Sequence, residues 1–374
     1  MRLIHFSDTH LGFNDLDAVN EAGINQREAD FYDAFTQVID AILLAKPNYV
    51  IHTGDLFHRP HPSNRAISFA LSELKRLSIA KIPTIIIAGN HSTPRTRNAS
   101  PILLALRTLD HVYPVFEEAY EKVEFENIAF HCIPHMNDEA ENLKEIELCE
   151  NSVVADKRNV LMLHCSVGQT YIMEEYGERV YPHNKESLFT KMDYVALGHW
   201  HGFGKVGKHT NVYYAGSTER TSSSDMRVDK GYVCIELDEA LHVNLQTITL
   251  RPSHKLTIDA TKDVILQLEE YAKANDCNGA LLYITLENLS ITQSIDIANH
   301  DIEAIFPTAL SVQIQRKFAH SQSAIASESV NAASLQEYFS AFLKEQSGDK
   351  IEFDRLNEKV TELFAKYDEV SDDA

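Results

Sequence analysis

Leu3-Ile4-His5-Phe6-Ser7-Asp8-Thr9-His10 decides how this chain is read. Four mostly apolar residues make a short strand, and with no spacer the next four present a carboxylate and an imidazole two residues apart. Working outward, the same device returns four times. Residues 49–52 lead into Gly54-Asp55, residues 84–88 into Gly89-Asn90-His91, residues 160–163 into His164, and residues 194–197 into Gly198-His199-Trp200-His201. Residues 128–132 form one more apolar run. Between the first two runs Phe31, Phe35, Val38, Ile39 and Ile42 fall at helical spacing, and Ser63 can cap a helix carrying Ile67, Leu71 and Leu74. This alternation predicts β-α units with a largely buried, helix-flanked sheet over residues 1 to about 200. Over residues 212–249 consecutive strands replace it, which predicts a second sheet packed on the first.

Arg251-Pro252 then breaks the chain, and residues 253–318 read as a compact α+β module: strand, helix at 263–274, strand at 280–286, helix, and strand at 310–315. A Ser- and Ala-rich stretch without periodicity, 319–333, reads as a tether. Two amphipathic helices follow. Leu335, Tyr338, Phe339, Phe342 and Leu343 mark the first, with Ser334 and Glu337 as a capping box; Phe353, Leu356, Val360, Leu363, Phe364 and Tyr367 mark the second. The expected organisation is thus a large domain at 1–250, a small second domain at 251–318, a flexible linker at 319–333 and a helical segment at 334–370 that either docks on its own domain or, as favoured after a tether, binds a partner.

With 374 residues, 44% hydrophobic and 24% charged, the chain has room for two to three domains and excludes wholesale disorder, a collagen-like repeat and a disulfide-stapled miniprotein. Its five cysteines are scattered and form no Cys-x-x-Cys pair, so neither a disulfide framework nor a cysteine zinc site is indicated. No leader pattern and no apolar stretch near the ~20 residues of a membrane span is present, and a cytoplasmic, unprocessed protein is expected. No Gly-x-x-x-x-Gly-Lys-Ser/Thr motif occurs, so an ATP-driven step would need another chain.

The formal net charge of −21 at first argues against nucleic acid. Divided along the chain, it does not. Residues 117–150 hold eleven acids against two bases and residues 352–374 hold eight against three, whereas residues 56–109 hold eight bases against one acid. Arg59, Arg65, Arg95 and Arg97 in that basic segment are the candidate phosphate contacts.

Carboxylate, imidazole and amide groups are the ligands of Mn, Fe or Zn, and loops at one sheet edge can gather them from distant parts of a sequence. Glycine before Asp55, Asn90 and His199 lets the backbone turn sharply and approach an ion closely. His5, His52 and His131 lie inside strands and read instead as hydrogen-bonded core residues; His135, after Ile133-Pro134, could lie near the site but reads rather as a turn residue. The order Asp-x-His, Gly-Asp, Gly-Asn-His, His, Gly-His-x-His resembles the calcineurin-like metallophosphoesterases. Within them, residues 1–12, Gly54-Asp-Leu-Phe-His58, residues 193–201 and Tyr214-Ala-Gly-Ser-Thr-Glu-Arg220 resemble the SbcD-type nucleases of double-strand-break repair, relatives of the eukaryotic meiotic-recombination nuclease. These motifs cover residues 1 to about 235.

The resemblance implies an α/β fold (α+β by some schemes): a four-layer α-β-β-α sandwich with a small α+β capping domain and C-terminal helices. It places two divalent cations, Mn2+ with Fe2+ or Mg2+ as alternatives, on Asp8, His10, Asp55 and His201 and on Asp55, Asn90, His164 and His199, with Asp55 bridging. His91 would stabilise or protonate the leaving 3′ oxygen and His58 would position the strand. Ser92 stands where the family usually has an acid. Implied partners are DNA ends, a coiled-coil ABC-type (SMC-like) ATPase gripped by residues 334–368, and a second copy through helices at about 63–80 and 99–109, on the nucleoid. The implied function is DNA exo- or endonuclease action in double-strand-break processing and recombination. The alternatives are a two-metal phosphodiesterase or phosphatase for a small molecule, and a non-catalytic scaffold.

Overall fold

The computed structural model describes residues 1–94, 100–168, 179–319, 339–340, 342–344 and 353–362, and divides into two compact units, Met1–Ser253 and His254–Ala374. In the first unit the apolar runs become strands β1 (Arg2–Phe6), β2 (Tyr49–His52) and β3 (Thr84–Ile87), separated by helices α1 (Gln26–Ala45) and α2 (Asn64–Ile79). The α1 N-terminus is capped by the Asn25 side chain, which accepts from the amides of Arg27 and Glu28, and Ser63 caps α2 through Ala66. Strand β4 (Val112–Val115) closes that edge; its Pro114 lacks an amide donor, as suits an edge strand.

The chain then builds a second sheet from β5 (Glu121–Glu124), β6 (Ile128–Ile133), helix α3 (Glu139–Glu150), β7 (Arg158–His164), β8 (Tyr194–Gly198), β9 (Gly204–Lys205) and β10 (Val212–Tyr214). Strands β11 (Gly231–Leu237) and β12 (Leu241–Thr247) return to the first sheet, whose order is β12-β11-β1-β2-β3-β4, against β5-β6-β7-β8-β10-β9 in the second. This corrects the expectation that residues 1–200 share one sheet and that residues 212–249 start the other. A run buried on both faces reads alike in either sheet, so periodicity finds the strand without assigning it.

Side-chain alternation fixes the layers. In β1, Ile4 and Phe6 meet Phe35, Val38, Ile39 and Ile42 of α1 on one side, while Leu3 faces the second sheet with Ile51, Ile85, Phe130, Val160 and Met162. In β7, Leu161 and Leu163 face outward to Ile146 and Cys149 of α3 and to Leu188 and Phe189. The result is the four-layer α-β-β-α sandwich. Strands β1, β2 and β3 run parallel, as do β6, β7 and β8, so both sheets deliver carboxyl-end loops that can converge.

The second unit begins one residue into β13 (Ser253–Asp259) and holds α4 (Val264–Ala274), β14 (Leu281–Leu289), α5 (Ile291–Asp296), α6 (Asn299–Ile305) and β15 (Ser311–Phe318) around a core including Leu256, Leu268, Ile284 and Ile302. The single expected helix after β14 is two short ones. In the described C-terminal helical residues Leu343 and Leu356 are buried, Ser340 hydrogen-bonds Asn357, and Phe339 and Phe342 are exposed. Ser334, Leu335, Glu337, Tyr338, Leu363, Phe364 and Tyr367 lie outside the described residues, as does the tether from 320 onward. Among the described residues no helix is long and apolar enough to cross a membrane.

Candidate metal centre

Beyond β1 and β2 the chain keeps its parallel partnership into the loops. The amides of Asp8, His10 and Leu11 donate to the carbonyls of Gly54, Asp55 and Leu56 at 3.1, 3.0 and 2.9 Å. Within this paired track Asp8, His10 and Asp55 adopt φ of 50°, 42° and 54°, and His199 after β8 adopts 91°. Left-handed backbone costs of order 1 kcal/mol or more at a non-glycine residue. Here it turns four ligand-type side chains toward one another.

His164, at the end of β7, is the hub of one group. Its Nδ1 donates to the Thr53 carbonyl at 2.7 Å, and its Nε2 faces Asn90 Oδ1, 2.9 Å away, and Asp55 Oδ2, 3.3 Å away, to which it donates when the ring is protonated. Asn90 Oδ1 lies 3.3 Å from His199 Nδ1, and the His199 amide donates to both Asp8 carboxylate oxygens at 3.1 and 3.2 Å. The glycines close the socket. A Cβ on Gly89 would strike the Asp55 carboxylate and come within 2.7 Å of His164 Cε1, and one on Gly54 would strike His164 Nδ1. Glycine is required there by the imidazole, in addition to the turn.

The second group joins His10, His201, His58 and His91. His10 Nε2 and His201 Nε2 face each other at 3.2 Å, while His201 Nδ1 lies 3.2 Å from Asp225 Oδ2 and 3.0 Å from Thr221 Oγ1. His91 donates its amide to Asp55 Oδ1 at 2.9 Å and its Nδ1–H to the His58 carbonyl at 2.6 Å. The His58 ring stacks on His91 at 5.3 Å between centroids and meets Phe13 edge-on at 4.8 Å.

Burial and charge set the protonation states. Burial works against charge on His164, yet the Asp55 and Asp8 carboxylates raise it to about 9. Burial opposes charge on Asp55 too, and His164 outweighs it, holding the carboxyl well below its usual range. Burial dominates at His10, which is pushed well below an ordinary imidazole, and with His91 and Arg59 beside it lowers His58 to about 4. The donor set fits divalent cations. Ligand atoms of Asp8, His10 and His201 lie within 4.8 Å of one another, as do those of Asp8, Asp55 and His164 and those of His10, His58 and His91. His10 Nδ1 is buried without a hydrogen-bond partner among the described residues, while its Nε2 faces His201 Nε2 and is the nitrogen placed to ligate. Asp8 is shared by two of these groups, whereas the family pattern gives bridging to Asp55.

The nine residues Asp8, His10, Asp55, His58, Asn90, His91, His164, His199 and His201 therefore come together. The arginines fare differently. Arg59 is exposed beside His58; Arg65 is bonded to Glu28 at 3.3 Å; Arg95 and Arg97 lie outside the described residues. Arg76 pairs with Asp40 and Glu73, and Arg107 with Glu117, which trims the basic segment's free charge. Ser92 is buried, and its Oγ has no hydrogen-bond partner among the described residues, so it does not replace the acid by bonding.

The core histidines have partners: His5 with Tyr194 and Thr53, His52 with Thr9, and His131 with Tyr120 and Asn159. The His135 amide donates to the Ala88 carbonyl at 2.9 Å, just before Gly89, and burial and then the His164 charge lower the ring to about 3. Asp225, Thr221 and Lys230 were not foreseen. One carboxylate among 55 acids carries no spacing signal linking it to a histidine 24 residues away.

Comparison with known proteins agrees with this geometry. Residues 1–203 match the family model described as calcineurin-like phosphoesterase. "DNA double-strand break repair protein Mre11" of Thermoplasma acidophilum is 31% identical over 269 residues, covering 69% of this chain and 68% of that protein. The protein of the same name from Sulfolobus acidocaldarius is 28% identical over 406 aligned positions, covering 100% of both. That of Methanocaldococcus jannaschii is 30% identical over 246, covering 63% of this chain and 62% of that one. Sandwich, ligand loops and relatives together show that the chain belongs to the calcineurin-like phosphoesterase family, in its Mre11 branch.

Proposed function

We propose that this chain is a Mn2+-dependent DNA nuclease that processes double-strand-break ends by hydrolysing phosphodiesters. The observation that carries the reading is the convergence of Asp8, Asp55, Asn90 and the four histidines His10, His164, His199 and His201 from both sheets beside the stacked pair His58 and His91. Two bound cations would neutralise a phosphate and activate water. The chain's own residues do the rest. His91, its Nδ1 committed to the His58 carbonyl, has Nε2 to hold or deliver a proton at the leaving 3′ oxygen. His58, braced by Phe13 and His91, forms a wall against which a strand can be aligned. Arg59 offers a phosphate contact, and Arg95 and Arg97 are proposed with it.

A coiled-coil SMC-like ATPase is proposed as the partner of residues 334–368, supported by the exposed Phe339 and Phe342 beside buried Leu343 and Leu356. We also propose domains at 1–250 and 251–318, a second copy docking through α2 and residues 99–109, where Ile79 and Leu104 are exposed, and action at the nucleoid. The test is Mn2+-dependent release of nucleotides from linear DNA by the parent chain, with Asp55→Asn and His91→Ala alongside. Cleavage of a generic phosphodiester with DNA left intact, ATPase present, would refute the nuclease reading.

A further inference from the structure

We infer that Asp225, braced by Lys230 and Thr221, is the positioning residue that makes His201 a cation ligand; this rests on the metal-centre reading above. The Asp225 side chain is buried, and its Oδ2 accepts from the Thr221 amide and hydroxyl, each at 3.0 Å, while lying 3.2 Å from His201 Nδ1. An ionised carboxylate only accepts, so His201 Nδ1 is the protonated nitrogen and Nε2 carries the lone pair, directed at His10. Lys230, also buried, places its ammonium 3.5 Å from Asp225 Oδ1, 2.7 Å from the His201 carbonyl and 2.8 Å from Ser217 Oγ. One cation thus fixes both the backbone of His201 and the acceptor of its ring.

The other cation group is built differently. There His164 gives its Nδ1–H to the Thr53 carbonyl, a neutral acceptor; within the His201 group itself, His10 Nδ1 has no hydrogen-bond partner among the described residues. Carboxylate control therefore acts at His201, on the side of Asp8 and His10. Losing an outer partner of a ligating histidine costs about 10- to 100-fold in metal affinity. In D225N the amide oxygen can serve either Thr221 and His201 or the Lys230 ammonium but not both, and the charged acceptor of the His201 Nδ1–H is gone, leaving at most a neutral oxygen there.

The test is a Mn2+ titration of the full chain, following free Mn2+ by electron paramagnetic resonance. The parent is expected to bind two ions. D225N is expected to bind one with parental affinity and the other about 10- to 100-fold more weakly. Because D225N strands a buried ammonium, D225N/K230M, which removes both charges, is titrated in parallel and decides the matter if the single variant does not fold. Two ions held with parental affinity by the folded variant would overturn the inference. Equal weakening of both ions would also overturn it, since that marks a general structural role. A parent that binds no Mn2+ would overturn the metal-centre reading itself and this inference with it.

Discussion

His10 and His201 bring their Nε2 atoms to 3.2 Å across the gap between the loops after β1 and β8. With the His201 proton committed to Nδ1, its lone pair faces His10, and a cation between the two rings with Asp8 resolves the arrangement. Mn2+ should therefore raise the melting temperature of the chelator-treated chain, with about 2.7 kcal/mol of stabilisation at a concentration 100 times Kd. In His10→Ala the gain should shrink markedly. Superimposable melts of the parent with and without Mn2+ would count against the centre.

The raised His164 gives cation binding a pH signature. Its folded ion-free value is about 9, and ligation requires the neutral ring, so below pH 9 binding must expel a proton. Apparent affinity for the ion on His164 should rise by up to about tenfold per pH unit toward 9 and level off above it. Calorimetric titrations in buffers of different ionisation enthalpy will count the protons. A pH-independent affinity between 7 and 9 would refute the pairing of protonated His164 with Asp55.

Gly89→Ala changes no ligand yet should disable the centre, because its Cβ would occupy the space of the Asp55 carboxylate and crowd His164. We expect destabilisation of about 1–3 kcal/mol and loss of Mn2+ binding on the Asp55 side. Urea unfolding and Mn2+ titration measure the two effects. A variant that keeps both parental values would show that the socket has slack.

Arg59 and Arg65 should separate in DNA binding. Arg59→Ala should weaken binding and lower the salt slope by about one phosphate contact, while Arg65→Ala should do less because Glu28 already holds its guanidinium. Fluorescence anisotropy against salt concentration reads both. Identical slopes for Arg59→Ala and the parent would remove Arg59 from the proposed interface.

The sequence carries what is local. Asp8, Asp55, Asn90, His164 and His201 each follow an apolar run directly, so strand ends and ligands could be named together. The cap at Ser63 and the buried face of α1 were legible for the same reason, since capping and helical periodicity are short-range. What needed coordinates is non-local or geometric. Strand β11 sits beside β1, a pairing across more than 200 residues. Asp225 reaches His201 from a polar stretch with no periodicity, and the spending of Arg65 on Glu28 is invisible in a charge count.

That β1–β11 pairing has a biosynthetic cost. Strand β1 leaves the ribosome more than 200 residues ahead of its antiparallel neighbour, which begins at Gly231. At roughly 5–20 residues per second, its edge stays unsatisfied for on the order of ten seconds or more. For most of that interval the ligand loops of the first sheet lack His164, His199 and His201 of the second, so the ligand groups cannot assemble until both sheets have been made.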